Sequence, residues 1–171
     1  MIKKAALFGL LLGVVYIFWL WVVVATGLSS KNIMYIPLFI NLIIIAVPVY
    51  IGLLSIRKNV YAGSINYGQS FYGGIIISIT GALFVLAILC LFEQVGFLIP
   101  QLVEELKTIA RLNMKIEGLP DIEINKYVNE ELTRPYLIAT GSFAQLIIRS
   151  VIVTTIIALV VRNKDTFTEN N

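Results

Sequence analysis

Four long runs of apolar residues, separated by polar segments, dominate the pattern of the chain. The runs cover residues 5–26, 33–54, 73–99 and 139–161, and the strictly apolar part of the third run ends at Phe92. A transmembrane helix needs about 20 mostly apolar residues, so each run predicts one spanning helix. We therefore predict an all-α membrane protein whose four transmembrane helices form an antiparallel bundle, with residues 1–171 as a single domain.

A hydrophilic segment at residues 100–138 separates the third run from the fourth. Its first part begins with Pro100, a residue favoured in the first turn of a helix, and its apolar residues recur at helical spacing. This pattern predicts an amphipathic helix. Tyr127, Val128 and Leu132 predict the apolar side of a second short helix. Both helices could lie on the bilayer surface, cap the bundle or contact a protein partner.

The polar loop between the second and third runs predicts a helix cap. Ser64 or Asn66 can accept hydrogen bonds from the free N–H groups of the following helix. Gln69 follows Asn66 by three residues, as in a capping box. The glycines of this loop match no phosphate-binding pattern.

Composition supports the membrane assignment and narrows the possible functions. The chain is 58% hydrophobic and 13% charged, whereas an ordinary soluble domain carries roughly 25% charged residues. The net charge of +3 comes from small basic groups beside the apolar runs, and these form no continuous surface for nucleic acid. There is no histidine, Cys90 is the one cysteine, and no nucleophile or metal-ligand motif occurs. We therefore expect no enzyme activity, no metal and no cofactor.

Basic residues at the ends of the runs predict the orientation, because lysine and arginine are enriched in cytoplasmic loops. These residues are Lys3 and Lys4 before the first run, Arg57 and Lys58 after the second, and Arg162 and Lys164 after the fourth. We expect both termini to be cytoplasmic. The first run could also be a signal peptide, but it is longer than the usual apolar core of about 7–15 residues, which favours a retained helix.

Small residues recur at four-residue spacing in three of the runs, and such stripes allow helices in a bilayer to approach closely. The candidate packing residues are Gly9 and Gly13 in the first run, Gly74 and Ser78 in the third, and Ser150 and Thr154 in the fourth. The stripes could form a homodimer face or pack the helices of one bundle together. The second alternative is favoured, because small residues serve any close helix contact.

A few polar residues inside the apolar runs are the candidate functional residues, and we expect them to form a polar layer at similar depth. They are Asn41, Glu93, Gln94, Gln145 and Arg149. An arginine within a membrane span is costly and needs an explanation. Arg149 could reach the outer headgroup phosphates, pair with Glu93, or face a water-filled cavity and bind an anion or substrate.

Two stretches resemble a known family. "GSINYGQSFYGGIIISITGALF", at the entry to the third run, and "RPYLIATGSFAQLIIRSVIVTTIIALVVRNK", which covers the fourth, are similar to segments of the uncharacterised bacterial membrane proteins called domain of unknown function 4199. The four-span layout is similar as well. This resemblance implies a location in the bacterial inner membrane, and it brings no catalytic or ligand residues with it.

Two functions are open at this stage. A non-enzymatic scaffold or accessory subunit of a membrane complex would present its outer helices to a protein partner. A small transporter or channel would have to work as a homo-oligomer, because four spans enclose little pathway by themselves. Its polar layer would lie around Glu93 and Arg149.

Overall fold

The computed structural model describes residues 1–26, 35–96, 99–116, 118–131 and 136–162, and all of its regular elements are helices. In chain order they are α1 (Ile2–Thr26), α2 (Tyr35–Val60), α3 (Tyr67–Val95), α4 (Ile99–Ile116), α5 (Asp121–Lys126) with a π-helical turn (Tyr127–Glu131), and α6 (Leu137–Val161).

Four of these helices are long and apolar enough to cross a membrane, namely α1, α2 from Phe39, α3 and α6. The prediction of an all-α protein with four transmembrane helices is therefore confirmed. The second helix continues to Val60, beyond the predicted end at residue 54, so Arg57 and Lys58 lie in its last turn. Basic side chains there interact favourably with the free carbonyl groups at a helix C-terminus.

The four spanning helices pack as a bundle. Helices α1 and α6 each pack against both α2 and α3, and α2 and α3 also contact each other. Among the described residues, the backbones of α1 and α6 do not come close to each other, so these two helices occupy opposite corners. Large apolar side chains such as Leu7, Phe18, Ile43 and Ile148 point outward and are exposed, as expected for surfaces in contact with lipid.

Both ends of α3 are set by local sequence. The Asn66 side chain accepts from the backbone N–H of Gln69, and the Gln69 side chain accepts from the N–H of Asn66. The predicted capping box is therefore confirmed. At the other end, Gly96 adopts φ +69° as the C-cap, a conformation that glycine tolerates best. The helix consequently ends at Val95 and does not continue to Ile99, where α4 begins.

The hydrophilic excursion folds into α4, α5 and the π-helical turn, which pack against one another. Val103 of α4 also packs against the bundle core. In the second short helix, Ile124 and Val128 are the buried residues. Of the residues predicted for its apolar side, Val128 is buried and Tyr127 is 43% exposed. Leu132 lies outside the described residues.

Candidate functional site

Arg149 lies at the midpoint of α6, twelve residues from each end of the helix. At 1.5 Å per residue this is about 18 Å from either end. With a hydrocarbon core about 30 Å thick centred on α6, Arg149 lies near the middle of the span. One of the three alternatives for Arg149 was that its guanidinium reaches the outer headgroups. An arginine side chain at the midpoint of α6 is too short to reach the headgroups beyond either end of the helix.

The Arg149 side chain is partly exposed. It interacts electrostatically with the phenol of Tyr16, which is buried in the bundle. Tyr16 belongs to α1, at the opposite corner from α6, so this interaction crosses the bundle. Among the described residues, no carboxylate lies within ion-pair distance of Arg149. Within the described part of the chain, the charge of Arg149 therefore has a phenol near it but no counter-ion.

Glu93 contacts the beginning of α6. Its Oε1 accepts a hydrogen bond of 2.7 Å from the backbone N–H of Tyr136, the N-cap residue of that helix. Tyr136 has a positive φ of 60°, which is unusual for a residue with a large side chain. The second carboxylate oxygen, Oε2, is buried without a hydrogen-bond partner. Glu93 thus ties the C-terminal end of α3 to the first turn of α6.

This contact rules out the pairing of Glu93 with Arg149, one of the three alternatives that the sequence left open. Arg149 follows Tyr136 by 13 residues, or about 20 Å along the helix axis. A carboxylate that reaches the N–H of Tyr136 cannot also reach the guanidinium. The expectation of similar depth was wrong because the apolar run suggested that α6 begins near residue 139 and that α3 continues to residue 99. In the structure α6 begins earlier and α3 ends sooner.

The other members of the predicted polar layer are also dispersed. Gln94 and Gln145 are exposed, on α3 and α6 respectively. Asn41 is partly buried, and its Oδ1 has no hydrogen-bond partner. On α1, the buried Nε1 of Trp19 also lacks a partner. The structure therefore does not gather the five predicted residues into one layer.

Asn41 and Trp19 nevertheless lie at the same depth. Phe8 of α1 would meet a Cβ placed on Gly52 of α2, so these positions touch. Helices α1 and α2 run in opposite directions. Trp19 lies eleven residues after Phe8, and Asn41 lies eleven residues before Gly52. The Trp19 Nε1–H is an unused donor, and the Asn41 Oδ1 is an unused acceptor.

Gly9 and Gly13 allow α1 to approach α3 closely. A Cβ at Gly9 would lie 2.6 Å from Cβ of Thr80 and 2.7 Å from the carbonyl oxygen of Ile77. A Cβ at Gly13 would lie 2.6 Å from Cδ1 of Phe84. The structure thus places these two glycines at a contact inside the bundle.

Gly74, Ser78 and Thr154 form the corresponding contact between α3 and α6. A Cβ on Gly74 would collide with the side chain of Thr154. The Ser78 hydroxyl lies 2.8 Å from the carbonyl oxygen of Gly74 and 3.4 Å from Oγ1 of Thr154. Ser150 is also fully buried, and its hydroxyl has no partner. The small residues of all three runs therefore lie within one chain's own packing surfaces.

Arg57 has a structural role that the sequence did not reveal. Its Nε donates to the carbonyl of Gly63 at 2.7 Å, and its Nη1 donates to the carbonyl of Val161 at 3.2 Å. Gly63 belongs to the loop before α3, and Val161 is the last residue of α6. Sequence analysis used Arg57 only for orientation, because contacts over 104 residues leave no local pattern.

The described residues contain no group of three or more potential metal ligands among histidine, cysteine, aspartate and glutamate. What the described spans do contain is Arg149 at the midpoint of α6 without a carboxylate partner, a hydrogen bond from the N-cap of α6 to Glu93, and small residues at close helix contacts. The fold and these contacts define a four-span helical membrane protein.

More specifically, the chain belongs to the family described as "Protein of unknown function (DUF4199)", whose model matches residues 7–163. No curated protein and no solved structure shows a significant match to the chain. The family membership agrees with the resemblance seen in the sequence. It assigns no activity, so the functional argument rests on the residues themselves.

Proposed function

We propose that this membrane protein is a non-enzymatic scaffold or accessory subunit of a membrane complex. The observation that carries the proposal is the filled centre of the bundle. Leu12, Ile45, Val85 and Leu146 come from the four spanning helices, and none has any exposed surface. A solute pathway through one chain would require polar or hydrated groups along this axis. A packed apolar axis fits a structural role better.

The extramembrane helices offer a surface suited to a protein partner. Ile116 at the end of α4 and Ile122 in α5 are each 83% exposed. They flank a turn near which Lys115 and Asp121 approach to 3.8 Å. The buried Ile124 and Val128 hold α5 and the π-helical turn in place. These two exposed isoleucines lie on packed helices, α4 and α5, and not at an end of the chain. This position favours recognition of a protein partner.

The proposed location is the bacterial inner membrane, with both termini in the cytoplasm. Support comes from the basic groups Lys3 and Lys4 in the first turn of α1 and Arg57 and Lys58 in the last turn of α2. The hydrogen bond from Tyr61 to Met1 brings these two helix ends together, with 3.1 Å between Oη and Sδ. This end of the bundle is therefore basic, as cytoplasmic ends usually are.

The proposal can be tested by purifying the tagged chain in a mild detergent from native membranes, at its natural expression level. We expect a second protein in fixed stoichiometry. Ile116→Asp together with Ile122→Asp should weaken that association, whereas Glu123→Ala, an exposed change on the same helix, should leave it intact. A homo-oligomer that carries no partner and conducts ions or solutes in vesicles would instead support the transporter alternative.

A further inference from the structure

One face of α6 combines exposed apolar residues with two polar side chains. Gln145, Arg149, Ile152, Ile156 and Val160 follow one another every three or four residues, so they form one line along the helix. The three apolar members are 56%, 59% and 69% exposed. Gln145 is exposed, and Arg149 is partly exposed. We call this line the Arg149 face. It is polar at the middle and outer part of the span and apolar toward the inner end.

Contact with lipid does not explain this face. A charged residue at the centre of a spanning helix costs about 2.5–3.5 kcal/mol on insertion scales. Arginines near helix ends reduce that cost by reaching the headgroups, but Arg149 is about 18 Å from either end of α6. An exposed amide one turn away adds a second unsatisfied polar group in hydrocarbon. The two groups together indicate that protein covers this face.

A second copy of the chain cannot supply the missing counter-ion. Of the ten acidic residues, Glu93 alone falls within the spanning helices. It lies at the outer end of α3 and already binds the N–H of Tyr136. A homodimer packed along the Arg149 face would therefore place no carboxylate near the guanidinium. It would bring together two like charges if the faces were symmetric.

We propose that Arg149 forms an ion pair with an aspartate or glutamate in the middle of a partner protein's transmembrane helix, which packs along the Arg149 face. This inference rests on the proposed role as a subunit of a membrane complex and identifies the chemistry of the partner. The planar guanidinium binds a carboxylate through two parallel hydrogen bonds. Gln145, one turn farther out on α6, binds a polar group of the same partner helix.

The contact can be located by placing a photoreactive amino acid at position 152 or 156 of the full chain and irradiating native membranes. A matched control carries the same amino acid at position 7, since Leu7 is 64% exposed on α1 at the opposite corner of the bundle. Sequencing the cross-linked peptide identifies the partner segment. We expect an apolar segment that contains aspartate or glutamate at mid-span, cross-linked from α6 and not from Leu7.

The ion pair is then tested with variants. Arg149→Leu should lower the cross-linking yield at least tenfold, Arg149→Lys should retain most of it, and Val151→Leu, on the opposite side of α6, should not change it. Arg149→Glu combined with arginine at the partner's acidic position should restore the yield. The purified Arg149→Leu chain should melt at or above the temperature of the original chain.

Other results would overturn the inference in distinct ways. An unchanged yield with Arg149→Leu, or a cross-linked segment without an acidic residue, refutes the ion pair and leaves the proposed subunit role standing. A lower melting temperature of the isolated Arg149→Leu chain, with a matching loss of yield, assigns Arg149 to the internal electrostatic interaction with Tyr16. Absence of any cross-linked protein from α6, together with no copurified partner, refutes the proposed function as well.

Discussion

The carboxylate of Glu93 accepts a hydrogen bond from the backbone N–H of Tyr136, and this contact joins α3 to α6 across 43 residues of sequence. The N–H groups in the first turn of a helix have no partner within the helix. A carboxylate at that position satisfies one of them and interacts favourably with the helix dipole. Glu93 thus acts as a cap supplied by a neighbouring helix and fixes the relative depth of α3 and α6.

Replacing Glu93 with alanine should lower the free energy of unfolding, because a hydrogen bond to a charged group typically contributes about 1.5–3 kcal/mol. Glu93→Gln should have a smaller effect, since its amide oxygen can still accept from Tyr136. The melting temperatures of the two variants in detergent measure both effects. Gln94→Ala, an exposed neighbour, serves as the control. If charge exchange between positions 93 and 149 restored stability, the described separation of these residues would be wrong.

Removal of the Arg57 guanidinium should loosen the end of the bundle at which α2 and α6 terminate. Arg57→Ala loses hydrogen bonds to the carbonyls of Gly63 and Val161, each worth about 1.5–3 kcal/mol for a charged donor. Arg57→Lys should recover only part of the loss, because one ammonium group replaces a planar fork of donors. Lys58→Ala is the matched control. Equal melting temperatures for Arg57→Ala and Lys58→Ala would contradict the role assigned to Arg57.

A methyl group at Gly9 should destabilise the contact between α1 and α3. The added Cβ would lie 2.7 Å from the carbonyl oxygen of Ile77, a backbone atom that cannot turn away, and overpacking of this kind typically costs about 1–3 kcal/mol. Gly141→Ala provides the contrast, since nothing lies within 4 Å of its Cβ position. We expect that variant to melt at or above the original temperature, because alanine favours a helix over glycine by about 0.5–1 kcal/mol.

The hydrogen bond between the hydroxyls of Ser78 in α3 and Thr154 in α6 should contribute little to the free energy of unfolding. The single proton of Ser78 is directed to the carbonyl of Gly74, so Thr154 is the donor in the 3.4 Å contact between the two hydroxyls. Thr154→Val keeps the side-chain shape and removes this donor. A double-mutant cycle with Ser78→Ala should give a coupling energy of about 0.6 kcal/mol, the average for such bonds within a membrane. A coupling above the known maximum of about 1.7 kcal/mol would indicate an additional role for these hydroxyls.

Features of the fold that depend on local sequence were accessible without the structure. Four apolar runs predicted four spanning helices because the bilayer requires about 20 apolar residues for each. Asn66 and Gln69 predicted the beginning of α3 because a capping box joins residues three apart. The predicted end of α3, at residue 99, is too late. Apolar residues continue after Gly96, and the pattern counts them as part of the same helix. The φ of +69° at Gly96 shows which signal determines the helix end.

The relative depth of the helices was decided by tertiary structure alone. A sequence specifies distance along one helix, but depth between helices depends on contacts such as Glu93 with Tyr136 and Gly9 with Thr80. For the same reason the sequence could not tell whether the small-residue stripes face a second copy or the chain itself, or that Arg57 reaches Val161. The sequence by itself determined that Arg149 lies within an apolar span. The tertiary structure decided that it lies at mid-span, far from Glu93, because the bundle fixes where α6 begins and which residues meet its two ends.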